Sequence, residues 1–367
     1  MFGELPKLFE RNFAIAYFLP SAAFVAITYL IVVRLFGLSA GLTLSAGTFL
    51  TELAAFGSVS LLGGIILLIV NRGVVRLLEG YWPFNLGQRV NWIELWRFRK
   101  VRAESELSDR KMAELEASGQ AIPDDLQNAW DESEKRKANR FPNEERLILP
   151  TSFGNTFRAF ETYPRVMYGI NAIPGWFRLL AVVPKDFRDL IDSARARVDF
   201  WVNISFLSLL VIAEFYLVAI YAGRIHLSTL FSVKGRFPWV PLLALLGFWI
   251  AYTFARNAAA EWGNWVKSAF DLYLPDLRAK LEFVPAATKK EEREKWISFN
   301  VAVLTRDPRF MPAKIRKETK DATSMETLFM ELRKLNEQER LLLLEAVVRT
   351  KPDAPQTQPA NQEKTKP

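Results

Sequence analysis

Four long stretches of this chain carry almost no charge. They are residues 12–33, 53–70, 200–223 and 237–255, and each holds 18 to 24 residues. A helix needs about 20 predominantly apolar residues to cross the hydrocarbon core of a bilayer. Because no water reaches that core, the backbone polar groups of a spanning segment must be satisfied within the segment, as they are in a helix. The four stretches therefore predict an all-α membrane protein with four transmembrane helices.

The composition excludes several classes of catalytic and metal site. Cysteine is absent, and His226 is the single histidine among 367 residues. Disulfides, thiolate nucleophiles, cysteine metal sites and histidine-based constellations within one chain are thereby excluded. A phosphate loop, a Gly-Xaa-Ser-Xaa-Gly elbow, a His-Glu-Xaa-Xaa-His helix and a glycine-rich dinucleotide turn are also absent from the sequence. We expect no enzymatic activity, no catalytic residues, no metal site and no cofactor.

The distribution of basic residues predicts the orientation in the membrane. Lys and Arg number 18 in the segments that would flank the helices on the side of the N-terminus, and four on the other side. Cytoplasmic flanks are enriched in Lys and Arg, so we expect both termini in the cytoplasm. The same rule accounts for the net charge of +8, and we therefore expect no nucleic acid ligand.

The charge pattern divides the chain into six regions. Residues 103–146 carry 12 acids and seven bases; helix formers dominate up to Ala117, and residues 123–125 can open a second helix. We interpret this part as an antiparallel helical hairpin inserted into the cytosol, with a solvated spacer as an equally weighted alternative. The regions are 1–70 with helices 1 and 2, 71–149 with a basic flank and the charged hairpin, 150–199 with an interfacial hinge and an amphipathic helix, 200–256 with helices 3 and 4, 257–350 with C-terminal cytosolic amphipathic helices, and 351–367 as a disordered tail.

A capping box predicts the start of one C-terminal helix. Thr288 is followed three residues later by Glu291, a pair in which each side chain can satisfy a free backbone N–H. This helix is expected to end near Thr305. A further helix is expected over residues 325–348, where leucines recur at helical spacing, and it would pack on the rest of the cytosolic part or on a partner.

Residues 150–184 are aromatic enough to seek a membrane or a core, but glycines, prolines and charges interrupt them. Their longest uncharged run, residues 166–177, holds 12 residues and is too short to span a bilayer. We interpret the segment as a hinge at the inner membrane surface. Its side chains could recognise anionic lipid headgroups or a phosphate-bearing ligand, or simply anchor the chain at the interface. The candidate residues are Asn155, Arg158, Glu161, Tyr163, Arg165 and Arg178.

Within this set, Arg158 and Glu161 are three residues apart and could form an ion pair on a short helix.

The third span carries another candidate site, because Glu214 is an acidic residue within it and a carboxylate in a span marks a functional site by default. On an ideal helix Asn203, Glu214 and Tyr221 fall within roughly 20° of one line, which predicts an intramembrane polar stripe facing the bundle. The groups expected within reach of Glu214 are Thr28, Tyr29 and Thr253. The stripe either holds the bundle together or forms an ion or proton pathway.

Three segments resemble an uncharacterised group of bacterial four-helix multi-pass membrane proteins. They are LPTSFGNTFRAFETYPRVMYGI leading into RARVDFWVNISFLSLL, the opening RNFAIAYFLPSAAF, and EWGNWVKSAFDLYLPDLRAKL after the fourth span. The resemblance covers residues 8–281 apart from the charged hairpin. It implies a location in the bacterial cytoplasmic (inner) membrane and no mechanism. The layout of two helices, a helical insert and two more helices is also similar to bestrophin-type anion channels, in topology alone.

These features favour two functions of different classes. The leading hypothesis is a membrane-anchored interaction or signalling scaffold, whose cytosolic helices bind a cytosolic protein partner while the bundle anchors the chain in the lipid bilayer. The alternative is a homo-oligomeric ion channel or transporter lined by Glu214 and Asn203. The position of Glu214 separates them, because burial within the bundle of one chain favours the anchor and a stripe facing a symmetry axis favours the channel.

Overall fold

The computed structural model describes residues 11–36, 46–82, 86–221 and 239–314, and the regular structure of this part of the chain is helical. The elements are α1 (Arg11–Phe13), a π-helical turn (Ala14–Phe18), α2 (Leu19–Phe36), α3 (Ala46–Glu79), α4 (Leu86–Val90), α5 (Trp92–Ala117), α6 (Asp124–Arg140), α7 (Ser152–Tyr168), α8 (Ala172–Leu179), α9 (Lys185–Tyr221), α10 (Trp239–Lys280) and α11 (Lys289–Thr305). The helix expected over residues 325–348 and the tail at 351–367 lie outside the described residues.

Four of the described helices are long and apolar enough to cross a membrane, as the sequence predicts. They are Arg11–Val33, Phe49–Glu79, Lys185–Tyr221 and Trp239–Lys280. The last two hold 37 and 42 residues, which corresponds to about 55 and 63 Å of helix at 1.5 Å per residue. Since a hydrocarbon core is about 30 Å thick, α9 and α10 extend far beyond it. The amphipathic helix predicted after the hinge, within residues 150–199, is the first part of α9 and not a separate element.

Small residues at the helix contacts allow the membrane helices to pack closely. Ala16 and Tyr17 of the π-helical turn are buried in one cluster with Leu67 of α3. A Cβ added to Gly64 of α3 would lie 3.3 Å from the backbone Cα and N of Phe18, so the two backbones approach closely there. A Cβ added to Gly63 would lie 2.2 Å from Ser21 Oγ, which would have to move. In lipid, such packing and interhelical hydrogen bonds hold helices together, because the tails are as apolar as the side chains.

Beyond the spans, one hydrophobic core organises a set of helices that we call the helical body. The body consists of the end of α3, α7, α8, the first half of α9, the second half of α10, and α11. Phe153, Phe270, Trp296 and Phe299 are fully buried at its centre. Burying a side chain of this size stabilises the fold by roughly 1.5–3 kcal/mol.

Residues 150–184, predicted as a hinge at the inner membrane surface, form α7 and α8 and contribute directly to this core. The rings of Phe157 and Phe160 lie 5.5 and 5.0 Å from the ring of Trp262 in α10. Pro164 is buried inside α7 and does not end it. The aromatic residues of this segment thus pack against residues that are distant in the sequence. Whether the segment also touches the membrane surface stays a prediction.

A tight joint connects α7, α8 and α11. Gly169 ends α7 with a φ of 83°, and a Cβ there would lie 2.7 Å from the backbone oxygen of Arg293 in α11. The side chain of Asn300 donates to Gly169 O at 2.6 Å and accepts from Asn171 N at 2.9 Å. The turn between α7 and α8 is therefore held against α11 by both sterics and hydrogen bonds.

The predicted capping box at the start of α11 is confirmed. Thr288 Oγ1 accepts a hydrogen bond from Glu291 N at 3.2 Å, and the Glu291 carboxylate accepts one from Ala287 N at 2.7 Å. The helix that follows ends at Thr305, as the sequence predicts.

Helices α5 and α6 pack against each other as an antiparallel hairpin. Lys137 Nζ donates to Ser105 Oγ at 3.0 Å, and Trp130 Nε1 donates to the carboxylate of Asp109. The later of the two α5 residues, Asp109, contacts the earlier of the two α6 residues, Trp130. The two helices therefore run in opposite directions. Lys267 of α10 donates to a backbone oxygen of α6 at 3.3 Å, which attaches the hairpin to the body. The side of the membrane on which the hairpin lies stays a prediction.

Candidate functional site

Asn203 lies on the bundle side of α9, where the stripe prediction puts it. Its side chain is fully buried, and Nδ2 donates to Ala16 O at 2.8 Å. Ala16 belongs to the π-helical turn, a rare element that is frequently found at functional sites. In that turn Leu19 N donates to Ala14 O, five residues back. Asn203 supplies a further donor to this irregular stretch and thereby joins it to α9.

Glu214 is half-buried and also bonds within the same chain. Thr28 Oγ1 of α2 donates to Glu214 Oε2 at 2.9 Å, so one of the three expected partners is the actual one. Thr253 instead donates to Trp249 O in its own helix at 2.9 Å, and Tyr29 is 47% exposed. Both Asn203 and Glu214 therefore connect α9 to the first membrane helix.

Tyr221 does not share this face, because its side chain is 84% exposed. The buried positions of α9 follow a row spaced four residues apart, which includes Asn203, Val211, Phe215 and Ala219. Each such step turns by about 40° beyond a full circle, so the contact face rotates by about 160° between Asn203 and Ala219. Tyr221 lies two residues past Ala219 and faces the other way. The three residues therefore do not form the straight stripe that an ideal helix predicts. Packed helices cross at an angle, so the face of α9 that contacts its neighbours rotates along its length.

An ion pair with a buried carboxylate, which the sequence analysis does not single out, connects the bundle to the body. Asp199 is 6% exposed; it accepts a hydrogen bond from Tyr17 Oη at 3.0 Å and pairs with Arg195 Nε at 3.1 Å. The Arg195 guanidinium lies 4.7 Å from the ring centre of Trp262, a cation–π distance. The four-residue spacing of Arg195 and Asp199 indicates an ion pair on one helix face, but only the tertiary structure shows its burial.

The structure places Asn155 where no headgroup can reach it, since it is fully buried. Its Oδ1 accepts from Leu149 N at 2.7 Å, and its Nδ2 donates to Leu149 O at 3.0 Å and to Glu94 Oε2 at 3.2 Å. Glu94 itself is 3% exposed and pairs with Arg97. Asn155 therefore fixes the segment before α7 against α5 and is a structural residue rather than part of a membrane-facing set.

Arg158 and Glu161 form the ion pair that their spacing indicates, at 3.2 Å. Arg158 also donates to the hydroxyl of Tyr81, just after α3. Burial raises the pKa of the Glu161 carboxyl above its ordinary value, and the charge of Arg158 opposes that rise. This pair links α7 to the end of the second span.

The other hinge candidates point in different directions. Tyr163 donates to Asp271 Oδ1 in α10 at 2.9 Å, and burial followed by this hydrogen bond raises the pKa of Tyr163 to about 12. Arg178 donates to Pro174 O at 2.6 Å and lies over the ring of Phe299, while Arg165 is exposed. The six hinge residues are thus not brought together into one site. Their role at the membrane interface stays a prediction.

A cavity of 600 Å³ lies among the spans and is mainly apolar. It is lined by α2, α9 and α10, with Ile31, Phe215 and Leu243 among its residues and the hydroxyl of Ser208 as a polar group. Neither Asn203 nor Glu214 lines it. The cavity is suited to lipid tails rather than to ions, because it offers almost nothing to replace an ion's water shell.

Among the residues that the structure describes, no group of three or more His, Asp and Glu side chains could hold a metal ion. Comparison of the chain with family models, with curated proteins and with solved structures finds no match. Function is therefore inferred from the geometry of this chain's own residues.

Proposed function

We propose that this protein is a membrane-anchored interaction or signalling scaffold of the bacterial inner membrane. In this proposal the spans anchor the chain, and the helical body binds a cytosolic protein. The observation that carries it is the hydrogen bond from Thr28 to Glu214. It uses the acidic side chain of the third span to join two helices of one chain, as an anchoring bundle requires, and this side chain does not line the apolar cavity.

The connection between bundle and body supports a scaffold. Helices α9 and α10 run without interruption from the apolar segments into the body core. Arg195 and the buried Asp199 add an ion pair at the same junction. The body is consequently held at the membrane by continuous helices and not by a flexible linker.

Helix α8 offers a surface for a protein partner. Ile173 and Phe177 are 70% and 74% exposed and lie four residues apart, on one helix face. The opposite face packs on the core, where the rings of Trp176 and Phe270 lie 6.2 Å apart. Phe270 follows the apolar run that ends at residue 255 by about 22 Å of helix, and in this proposal α8 therefore lies outside the hydrocarbon. Exposed apolar surface marks a contact with a protein or with a membrane, and outside the hydrocarbon the contact is with a protein.

Site-specific photocrosslinking in intact cells tests the scaffold. A photoreactive side chain at Phe177 is expected to give discrete adducts with one cytosolic protein, identified by mass spectrometry and reproduced with that purified protein. The substitution Ile173→Asp should abolish the same adduct, since it puts a charge into the apolar contact. The matched control carries the photoreactive group at Leu243, which is 55% exposed within the fourth span and should crosslink to lipid.

Absence of any protein adduct at Phe177, or an adduct that survives Ile173→Asp unchanged, would reject this surface as the partner site. A chain that is still monodisperse in detergent shows that the substitution leaves the fold intact.

The alternative is a homo-oligomeric ion channel or transporter, and one observation favours it. Glu214 is only half-buried, so part of its carboxylate could face a second copy of the chain. Purified protein in liposomes should then carry an ion or proton flux that Glu214→Gln reduces. Absence of flux under ion and proton gradients in both directions would reject the channel alternative. It would not contradict the scaffold proposal.

A further inference from the structure

Three arginines from two distant parts of the chain meet between the hairpin and α10. Arg136 and Arg140 lie in the last turns of α6, and Arg256 lies in α10. All three line both of two adjoining cavities, of 320 and 350 Å³. We call the two cavities together the basic cleft. None of the six hinge candidates lines it.

The cleft adjoins the end of the apolar run of α10. Arg256 directly follows the uncharged run of residues 237–255, so it marks the point where α10 leaves the apolar segment. Trp96, which lines the second cavity, is 61% exposed and has the ammonium of Lys100 5.9 Å from its ring centre. Exposed tryptophans beside basic residues are typical of the headgroup region.

The charges around the cleft do not balance. Its remaining charged lining residues are the bases Arg97, Lys100 and Lys135 and the acids Glu94, Glu104 and Glu132. Glu94 pairs with Arg97, and Glu104 lies 3.5 Å from Arg136. Six bases therefore face three acids, of which two already have partners.

Arg140 and Arg256 are the unbalanced charges. Within the described part of the chain, no carboxylate lies within 4.0 Å of either guanidinium, whereas Arg136 has Glu104. The Nε of Arg256 is buried and has no hydrogen-bond partner there. Arg140 is exposed as a whole, but partial desolvation, followed by the positive charges of Arg256 and Arg136, lowers its pKa. Leaving a buried donor unpaired beside like charges costs free energy, which a bound anion would recover.

Helix α7 adds to the positive potential. Ser152, in its first turn, lines the second cavity, and Thr156 lines the first. The N-terminus of a helix of this length carries a partial positive charge that favours an anion nearby. Its Phe153 and Gly154 N–H groups already donate to Tyr252 Oη and Thr151 Oγ1, so α7 contributes through its dipole. Two arginines in addition can each donate two parallel hydrogen bonds to phosphate oxygens.

We propose that the basic cleft binds a phosphate group, held by the guanidinium groups of Arg140 and Arg256 and assisted by Arg136. The phosphate is carried either by the headgroup of an anionic phospholipid or by a soluble phosphate compound. The cleft opens at headgroup level and has room beyond a single phosphate, since cavities of a few hundred Å³ are typical of small-molecule sites.

The full-length protein purified in detergent tests the proposal with two probes, inorganic phosphate and phosphatidylglycerol, and with phosphatidylcholine as the uncharged reference. Binding is followed by thermal shift and by native mass spectrometry of retained lipid. The double variant Arg140→Gln/Arg256→Gln is expected to weaken binding at least tenfold. The matched control is Arg110→Gln, an exposed arginine elsewhere on the hairpin, which should bind as the unaltered protein does.

The two probes distinguish the sources of the phosphate. A shift with phosphatidylglycerol alone identifies a lipid headgroup, and a saturable shift with inorganic phosphate identifies a soluble ligand. The variant Arg140→Lys/Arg256→Lys keeps both charges but loses the bidentate geometry, and it should recover part of the affinity if the glutamine variant folds poorly. The proposal is overturned if the unaltered protein responds to neither probe, or if the glutamine and Arg110→Gln variants respond alike.

Discussion

Tyr17 Oη donates a hydrogen bond to Asp199 Oδ2 at 3.0 Å, across 182 positions of sequence. The acceptor carboxylate is also paired with Arg195. One buried acid thus links the π-helical turn of the first span, the middle of α9 and, through Arg195, the aromatic core of the body.

The first prediction concerns this link. Tyr17→Phe removes the donor and leaves Asp199 with one partner in a buried setting, so we expect a loss of about 1–3 kcal/mol in the free energy of unfolding. Thermal unfolding in detergent measures it. Tyr29→Phe is the control, because Tyr29 is exposed in the same membrane helix and should change the melting temperature little. Equal effects of the two substitutions would show that the hydrogen bond does not stabilise the protein.

A second prediction concerns the hydrogen bond between the first and third spans. Thr28→Val and Glu214→Gln should each destabilise the bundle by about 0.5–2 kcal/mol, the range of interhelical hydrogen bonds in membranes. The double variant should cost less than the two losses added together, because both substitutions act on one bond. Unfolding in mixed micelles gives the three values. Strict additivity would mean that Thr28 and Glu214 do not stabilise each other.

A third prediction compares two glycines that share a positive φ. Gly169 and Gly119 have φ values of 83° and 71°, but only at Gly169 does an added Cβ meet a neighbour, the backbone oxygen of Arg293 at 2.7 Å. Gly119→Ala should cost about 1 kcal/mol through backbone strain, and Gly169→Ala should cost clearly more, because α11 must move. Thermal unfolding together with proteolysis around residues 289–305 measures both effects. Equal costs would contradict the tight joint.

A fourth prediction follows from Glu161. Its pKa is raised above the ordinary 4.5, mainly by burial. The folded state therefore holds this proton more tightly than the unfolded chain, so the stabilising contribution is complete below about pH 4.5 and is lost as the pH rises through the folded-state pKa. Glu161→Gln should flatten the decline of melting temperature above pH 4.5. Glu106→Gln is the control, since a hydrogen bond from Arg102 lowers the pKa of that exposed carboxyl, and it should not flatten the decline.

The spans could be predicted from the sequence because a helix in lipid needs a continuous run of apolar residues, which is visible in the local sequence. A run such as 237–255 needs no knowledge of its neighbours to be recognised. The capping box at Thr288 was equally predictable, since both partners lie within one helical turn. The buried role of Asn155 was not, because its partner Glu94 lies 61 residues earlier.

The same distinction explains the candidate sites. Glu214 stands out in an apolar run, and its partner Thr28 could be named in advance. Arg140 and Arg256 did not stand out, because each belongs to a stretch in which charge is ordinary and is explained by solvation or by membrane orientation. Their convergence depends on how the hairpin folds back onto α10, which no local pattern specifies.

The uninterrupted passage of α9 and α10 out of the apolar segments has a mechanical consequence. A helix that continues for about 37 Å past residue 255 acts as a lever. Tilting the span by about 10° would displace the far end of that arm by roughly 6 Å, and spans adjust their tilt when bilayer thickness changes. The thickness of the surrounding lipid would thereby set the sideways position of α8 and its exposed Phe177 over the membrane, rather than their height above it.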